Sequence, residues 1–295
     1  MTEETEALQV VTALFHHARA GTLSDELFFL ARNQLQESNP GLAAALAKEW
    51  QTTRMRPEAS LDDLVHFVNK TKKQKIFFLQ IGAMDGVSFD GMYAYIRRFG
   101  WDGILVEPLP DMIRRAQEHY QGHTGQLFFE NVAITEQEEQ RPIYRIPAEV
   151  ARQAGLPDWT LGISSLRRDH FPQLTPFMQE EMVPCLPLHR VLARHQPENI
   201  DVLLIDTEGY DCAILRQFDF ARYRPLLIKV EAVHVTESER QAMMALLITQ
   251  RYIFYPFEQD YLALAHELFF PLLFAGNRAV QAGGDRSWSD ILCGA

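Results

Sequence analysis

The stretch Lys75 to Gly86, KIFFLQIGAMDG, decides the fold. KIFFLQIG is a nearly continuous apolar run that ends in glycine, which is how a strand buried on both faces of a parallel sheet reads. The segment after it, SFDGMYAYIRRFG, has helical spacing and stops at Gly100, and WDGILVEP is a second short apolar strand closed by Pro108. The alternation continues. DMIRRAQEHY reads as a helix, LFFENVAI and IDVLLIDTEG as strands, YDCAILRQF as a helix, LLIKVEAVHV as a strand and ESERQAMMALLITQ as a helix, with YIFYPFEQDYLALAH as a closing hairpin. Strands and helices in this rhythm predict an α/β, Rossmann-like fold: a mostly parallel sheet with helices on both faces and ligands beyond the carboxyl ends of the strands.

Working outward, residues 1–70 show no strand pattern, only short amphipathic stretches such as ALQVVTALFHHA and LDDLVHFVNK. They predict a helical appendage for substrate docking, a lid or a homodimer contact, ahead of a main domain over 71–295. From Pro142 to Pro197 proline-rich fragments interrupt the rhythm, so an acceptor-side binding loop is expected over 142–197. The tail from Glu267 predicts a short helix that frays. The 295 residues are 47% hydrophobic and 23% charged, the composition of a globular chain. A net charge of −11 argues against nucleic acid and anionic membranes as partners. No apolar run approaches membrane-spanning length, and the acidic start MTEETEALQVV is unlike a signal peptide, which predicts a cytoplasmic protein. Cys185, Cys212 and Cys293 are too few and too far apart for a disulfide framework or a metal knuckle.

Two features carry ligand chemistry. In QIGAMDG, Gly82 and Gly86 remove side chains where a ligand approaches backbone, and the expected helix N-terminus offers free N–H groups to an anion. Glu107, 25 residues past Gly82 at the tip of the second strand, is placed to accept both hydroxyls of a ribose. Together they indicate an adenosine-type ligand. GAMDG lacks the middle glycine of a dinucleotide turn, and there is no GxxxxGK[ST] phosphate loop, which disfavours NAD and ATP. S-adenosylmethionine needs no pyrophosphate cradle and fits better.

FFLQIGAMDGVSFD, GILVEPLPDM, FFENVAI, DVLLIDTEGYDCAILRQFD and PLLIKVEAVHV fall in the order and spacing of the FkbM family, so the chain resembles that family of class I S-adenosylmethionine-dependent methyltransferases from about Lys75 to His266. Asp206, Glu208 and Gly209 match its strand-to-helix block. Leu204 stands for the usual lysine, Asp211 for the final glutamate, Gln80 for the usual aspartate and Met84 for the usual asparagine. The resemblance implies a seven-stranded sheet, with Gln80, Gly82, Ala83, Asp85 and Gly86 along the methionine part. Glu107 and Pro108 then lie at the ribose, and Asn131, Val132 and Ala133 at the adenine edge. It also implies O-methylation of a sugar or polyketide hydroxyl, or N-methylation of side-chain amides in a ribosomally made peptide.

Methyl transfer needs alignment, exclusion of water and, for a weakly nucleophilic acceptor, a base. Asp206 and Glu208 are two residues apart and share one face of an extended segment, while Glu231 and His234 end the next strand. These four are the candidate catalytic residues, with Asp206 also a donor contact. Trp159, Ser164, Ser165, Glu208 and His234 are expected against the acceptor. No metal-ligand spacing is visible and no metal is predicted, the alternative being that these hard oxygen ligands with one imidazole hold a divalent cation. A binding module without turnover, an NAD-dependent oxidoreductase and a paired-carboxylate glycosidase are the competing classes.

Overall fold

The computed structural model describes residues 61–72, 74–231, 233, 235–257, 260–266 and 268, with 40, 41, 44 and 46 ahead of them. Most of the expected N-terminal appendage, the C-terminal tail, His234 and Cys293 lie outside the described residues. The chain divides into two compact units, Met1–Leu61 and Asp62–Ala295. The second carries everything that follows.

Its centre is a seven-stranded sheet. β1 (Phe77–Ile81), β2 (Asp102–Val106), β3 (Leu127–Glu130), β8 (Val202–Ile205) and β9 (Leu227–Glu231) run parallel, and β11 (Asp260–Ala265) is antiparallel to both β9 and β10 (Tyr252–Phe257). The order is β10-β11-β9-β8-β1-β2-β3. The expected Rossmann-like class I methyltransferase sheet is therefore present. The apolar runs explain the centre: all four residues of β8 are buried, as are four of the five in β1 and in β2, because helices cover both faces. After β1 the chain lays down β2 and β3 on one side and later returns to place β8 on the other. The crevice between the carboxyl ends of β1 and β8 is thus the switch point where such sheets bind ligands.

The helices follow the predicted segments with one shift. α1 (Leu61–Thr71) is tied to the sheet through Trp101, whose Nε1 donates to Asn69 at 3.0 Å, and through Lys72, whose Nζ lies 2.5 Å from buried Asp201. α2 (Tyr93–Phe99) starts well after Ser88, where the spacing put it. Asp85 accepts from the Val87 and Ser88 amides and Asp90 from the Met92 amide, so side chains hold this backbone in turns that compete with helix. α3 (Pro110–His119), α6 (Asp211–Gln217) and α7 (Glu237–Thr249) complete the expected set, the last opened by a Thr236/Glu239 capping box.

The stretch over 142–197 is not an irregular loop. It builds most of a second, four-stranded sheet, in the order β4-β7-β5-β6, from β4 (Ala133–Ile134), β5 (Glu139–Arg145), β6 (Ser164–Ser165) and β7 (Gln179–Leu186), together with α4 (Ala148–Ala154) and α5 (Leu188–His195). The prolines hid it. Pro142 in β5 lies beyond the reach of β6, and Pro184 in β7 lies short of β4, so each sits where its strand has a partner on one side only and can spare an N–H. LFFENVAI, read as one strand, splits at Asn131 and passes the chain from the main sheet to the second.

Candidate active site

A cavity of about 830 Å3 opens at the carboxyl ends of β1, β2, β8 and β9, roofed by residues of the second sheet. That volume is in the range that holds a drug-sized ligand. The turn after β1 forms its floor; Gly82 lines the cavity as expected and Gly86 does not, and both glycines also meet a requirement set by the protein itself. A Cβ on Gly82 (φ +82°) would lie 1.7 Å from the Asp206 carbonyl oxygen, and one on Gly86 (φ +75°) 2.9 Å from the Tyr120 ring. Both glycines are demanded by neighbouring protein, whatever the ligand.

The expected anion cradle is also absent from this turn. The Gly82 and Ala83 amides donate to the Val106 carbonyl, the Met84 amide to Glu107 and the Gly86 amide to the Ala83 carbonyl. With the helix starting only at Tyr93, those donors are spent on the fold.

Glu107, 3% exposed, lines the cavity at the tip of β2 as expected. Its Oε2 accepts from the Met84 amide at 2.9 Å and its Oε1 from the Leu109 amide at 2.9 Å. Burial pushes its carboxyl up to about 7 against those two donors, which favour the ionised form. Each oxygen keeps a lone pair for a ligand hydroxyl. Pro108, Val132 and Ala133 line the cavity beside it. Asn131 does not: its Nδ2 donates to the Glu107 and Pro108 carbonyls at 2.9 and 2.8 Å and fixes the strand end. Asp85 and Gly86 also lie off the cavity, Asp85 because its carboxylate is engaged by Val87 and Ser88.

The opposite wall gathers carboxylates. Asp206, Glu208 and Glu231 bring one oxygen each within 4.8 Å of the others. Pairing explains why. Gln80, Leu204 and Lys229 form one row across β1, β8 and β9, and two residues further towards the carboxyl ends the same sheet face carries Asp206 and Glu231, with Asp260 of β11 opposite Glu231. Glu208 joins from a left-handed backbone (φ +52°) whose carbonyl accepts from Ser165 Oγ at 2.7 Å, and buried Asp211 takes the Thr207 and Gly209 amides at 2.9 and 3.1 Å. Asp206 is open to solvent, yet that surface faces the cavity deep in the domain, so water reaches it without solvating it well. Burial raises all three carboxyls and neighbouring acids raise them further, Asp211 acting on Asp206, Asp206 on Glu208 and Glu208 on Glu231, with Lys229 opposing the shift at Asp206.

On the acceptor side Ser164 lines the cavity and half-exposed Trp159 stands at its mouth, while Ser165 is buried beneath the Glu208 loop. Three further charged residues line the cavity that the sequence reading did not single out. Asp90 accepts from Gln80 Nε2 at 3.2 Å, and Lys229 pairs with Asp260 at 2.6 Å. Lys229 had a signal, a charge interrupting an otherwise apolar strand; Asp90 and Asp260 had none. Among the described residues the wall thus sets Asp90, Glu107, Asp206, Glu208, Glu231 and Asp260 against the single cation Lys229. Such a donor set suits a ligand carrying positive charge, as S-adenosylmethionine does on its sulfonium and ammonium groups.

No helix among the described residues is long and apolar enough to cross a membrane. Among curated proteins none matches the sequence. Among solved structures the chain is similar to a human methyltransferase 10 domain containing protein, at 10% identity and TM-score 0.35, covering 85% of this chain and 98% of that one. It is also similar to the mitomycin 7-O-methyltransferase MmcR, at 15% identity and TM-score 0.28, covering 87% of this chain and 66% of that one. The family model of the FkbM methyltransferase domain matches residues 80–262, more than half of the chain. The chain belongs to the FkbM family of methyltransferases.

Proposed function

We propose that this methyltransferase moves the methyl group of S-adenosylmethionine to a hydroxyl of a sugar or polyketide-type natural product. The observation that carries the reading is the acidity of the cavity wall: six carboxyl groups, several held protonated by burial and ready to ionise beside a bound cation, face one lysine that is already paired. A donor charged on sulfur and nitrogen suits that wall, whereas the phosphates of NAD or ATP would be repelled by it. S-adenosylmethionine, when bound, supplies an electrophilic methyl group.

In this reading Glu107 takes the ribose hydroxyls through its remaining lone pairs, Pro108, Val132 and Ala133 lie against the adenine, and Gly82 and Ala83 border the methionine part with Asp90 accepting from its ammonium. The acceptor sits over β8 and β9, between Trp159 and Ser164 on one side and Glu208 and Glu231 on the other. A cluster carboxylate would take the proton of the acceptor hydroxyl as that oxygen is methylated, with Glu208 held for that task by Ser165 and Asp211. The second sheet closes the site over the reacting atoms, and alignment supplies most of the rate.

Release of S-adenosylhomocysteine from S-adenosylmethionine, measured over a panel of sugar and polyketide hydroxyls and of asparagine-containing peptides, tests the reading. Turnover is expected on hydroxyl acceptors. Turnover confined to peptide amides overturns the acceptor class, and none on any acceptor leaves the reading without support as an enzyme.

A further inference from the structure

We infer that Phe89, Trp159 and Val233 form an apolar rim that binds the ring system of the acceptor, so that the hydroxyl to be methylated belongs to an aromatic or polyketide-type body and not to a free sugar. The rim stands on this chain's own geometry; its assignment to the acceptor rests on the methyltransferase reading above.

Among the described residues four large apolar side chains are left exposed: Phe89 at 68%, Met182 at 55%, Trp159 at 49% and Val233 at 47%. Single exposed apolar residues are ordinary on a protein surface. Three of these four, however, line the same cavity, and only Met182, in β7, does not. They reach it from separate parts of the chain. Phe89 comes from the turn after β1, Trp159 from the short 3-10 turn Asp158–Gly162 ahead of β6, and Val233 from the turn after β9. What the three share is the cavity.

The backbone of Phe89 is a second, independent observation. Its φ is +60°, in the left-handed region where a bulky side chain is out of place. Burial of the ring does not explain that conformation, since two-thirds of the residue is open. The ring does touch the roof of the cavity: a Cβ added to Gly162 would meet Phe89 Cδ2 at 3.4 Å and Met84 Sδ at 3.6 Å. Gly162 is the one residue of its turn without a side chain, so the roof leaves room for the ring. Phe89 therefore bridges floor and roof in a strained conformation with most of its surface uncovered. Strain kept at the edge of a cavity marks a ligand clamp better than it marks packing.

A planar or polycyclic body suits this rim. Laid against Phe89 and Trp159 it gains ring-to-ring contact beyond the area that it covers, and it removes the three apolar surfaces from water. A free sugar carries hydroxyls all round and would leave those near the rim without partners. There is also room for a larger body. Phe89, with Met84 and Ser88, lines a second cavity of about 650 Å3 whose wall includes Met112, Ile146 and Leu161 beside the Arg145–Asp111 ion pair. The ring system then rests at the rim while its hydroxyl reaches Glu208 and Glu231 inside.

The test is calorimetric titration of the purified full chain, at saturating S-adenosylhomocysteine, with naphthol as the ring-bearing probe and methyl glucoside as the sugar probe. The wild type is expected to bind naphthol at one site, about tenfold or more tighter than the glucoside. Phe89→Asn, which suits a left-handed backbone, and Trp159→Ala are each expected to weaken naphthol about fivefold and to leave the glucoside as it was. Met182→Ala, similarly exposed but off the cavity, should change neither. Circular dichroism checks the fold of each variant, and either rim variant carries the comparison if the other fails to fold. Naphthol bound no more tightly than the glucoside, or folded rim variants that bind naphthol as the wild type does, overturns the proposal. Calorimetry with S-adenosylmethionine on the same protein separates the two readings. Donor binding without a preference for naphthol removes the rim and leaves the methyltransferase reading standing; a preference that the rim variants abolish, without donor binding, keeps the rim and takes support from that reading.

Discussion

Replacing Gly82 with alanine puts a methyl group 1.7 Å from the Asp206 carbonyl oxygen and 2.7 Å from its carbon, on a residue whose φ is +82°. No rotamer relieves this, because both opposing atoms are backbone of the neighbouring strand exit. The left-handed conformation alone costs a residue with a Cβ about 1 to 3 kcal/mol. Moving the two strand ends apart strains the Asp206 N–H bond to Ile81 and the Gly82 N–H bond to Val106, now 3.0 and 2.9 Å. Each is a buried backbone bond of about 1 kcal/mol, so the expected loss is about 4 kcal/mol. Gly155→Ala is the internal control: its φ is +63° but a Cβ there meets nothing within 4 Å, so it carries the conformational cost alone, about 1 kcal/mol. Urea unfolding followed by tryptophan fluorescence measures both. If Gly82→Ala loses no more stability than Gly155→Ala, the glycine is not held by the Asp206 backbone, and the account of the floor of the cavity fails.

Three further outcomes follow from the same geometry. Ser165→Ala removes a buried hydroxyl that donates to the Glu208 carbonyl and accepts from the Arg167 amide; urea unfolding should show a loss of about 1 to 3 kcal/mol, with faster amide exchange across residues 207–210. Asp211→Asn turns an amide NH2 towards one of the Thr207 and Gly209 amides, so it should cost about 2 kcal/mol and lower methyl transfer more than donor affinity. The Glu107 carboxyl, raised by burial to about 7 from 4.5, favours the folded state when protonated; that contribution is complete below about pH 4.5 and is lost as pH rises through 7. Relative to Glu107→Gln, the wild type should therefore lose about 3 kcal/mol of unfolding free energy between those pH values, and a flat difference across that range refutes the buried-acid assignment.

The main sheet was legible because burial on both faces writes an unmistakable pattern: KIFFLQIG, GILVEP and DVLLID are apolar without alternation, and each ends at a residue that lines the cavity. The carboxylate wall was partly legible, since Asp206 and Glu231 sit at strand ends on one sheet face, whereas Glu208 arrives through a left-handed turn and not through the extended segment it was expected to share with Asp206. Pairing between distant strands was not. Asp260 enters the wall through β11, which runs antiparallel beside β9, and no local pattern announces that partnership. The second sheet escaped because prolines on singly paired stretches look the same in sequence as prolines in loops. Asp85 and Asn131 escaped for another reason: a short polar side chain can serve a ligand or its own backbone, and only the hydrogen bonds of the folded chain tell the two apart.

The central claim is that the cavity at the β1–β8 switch point holds S-adenosylmethionine with Glu107 at its ribose. Calorimetric titration of the wild type and of Glu107→Ala with S-adenosylmethionine and S-adenosylhomocysteine, each checked for folding by circular dichroism, tests it most directly. The account predicts one site per chain with micromolar affinity, weakened at least tenfold, about 1.4 kcal/mol, in the variant. No binding by the folded wild type, or equal affinity in the folded variant, contradicts it.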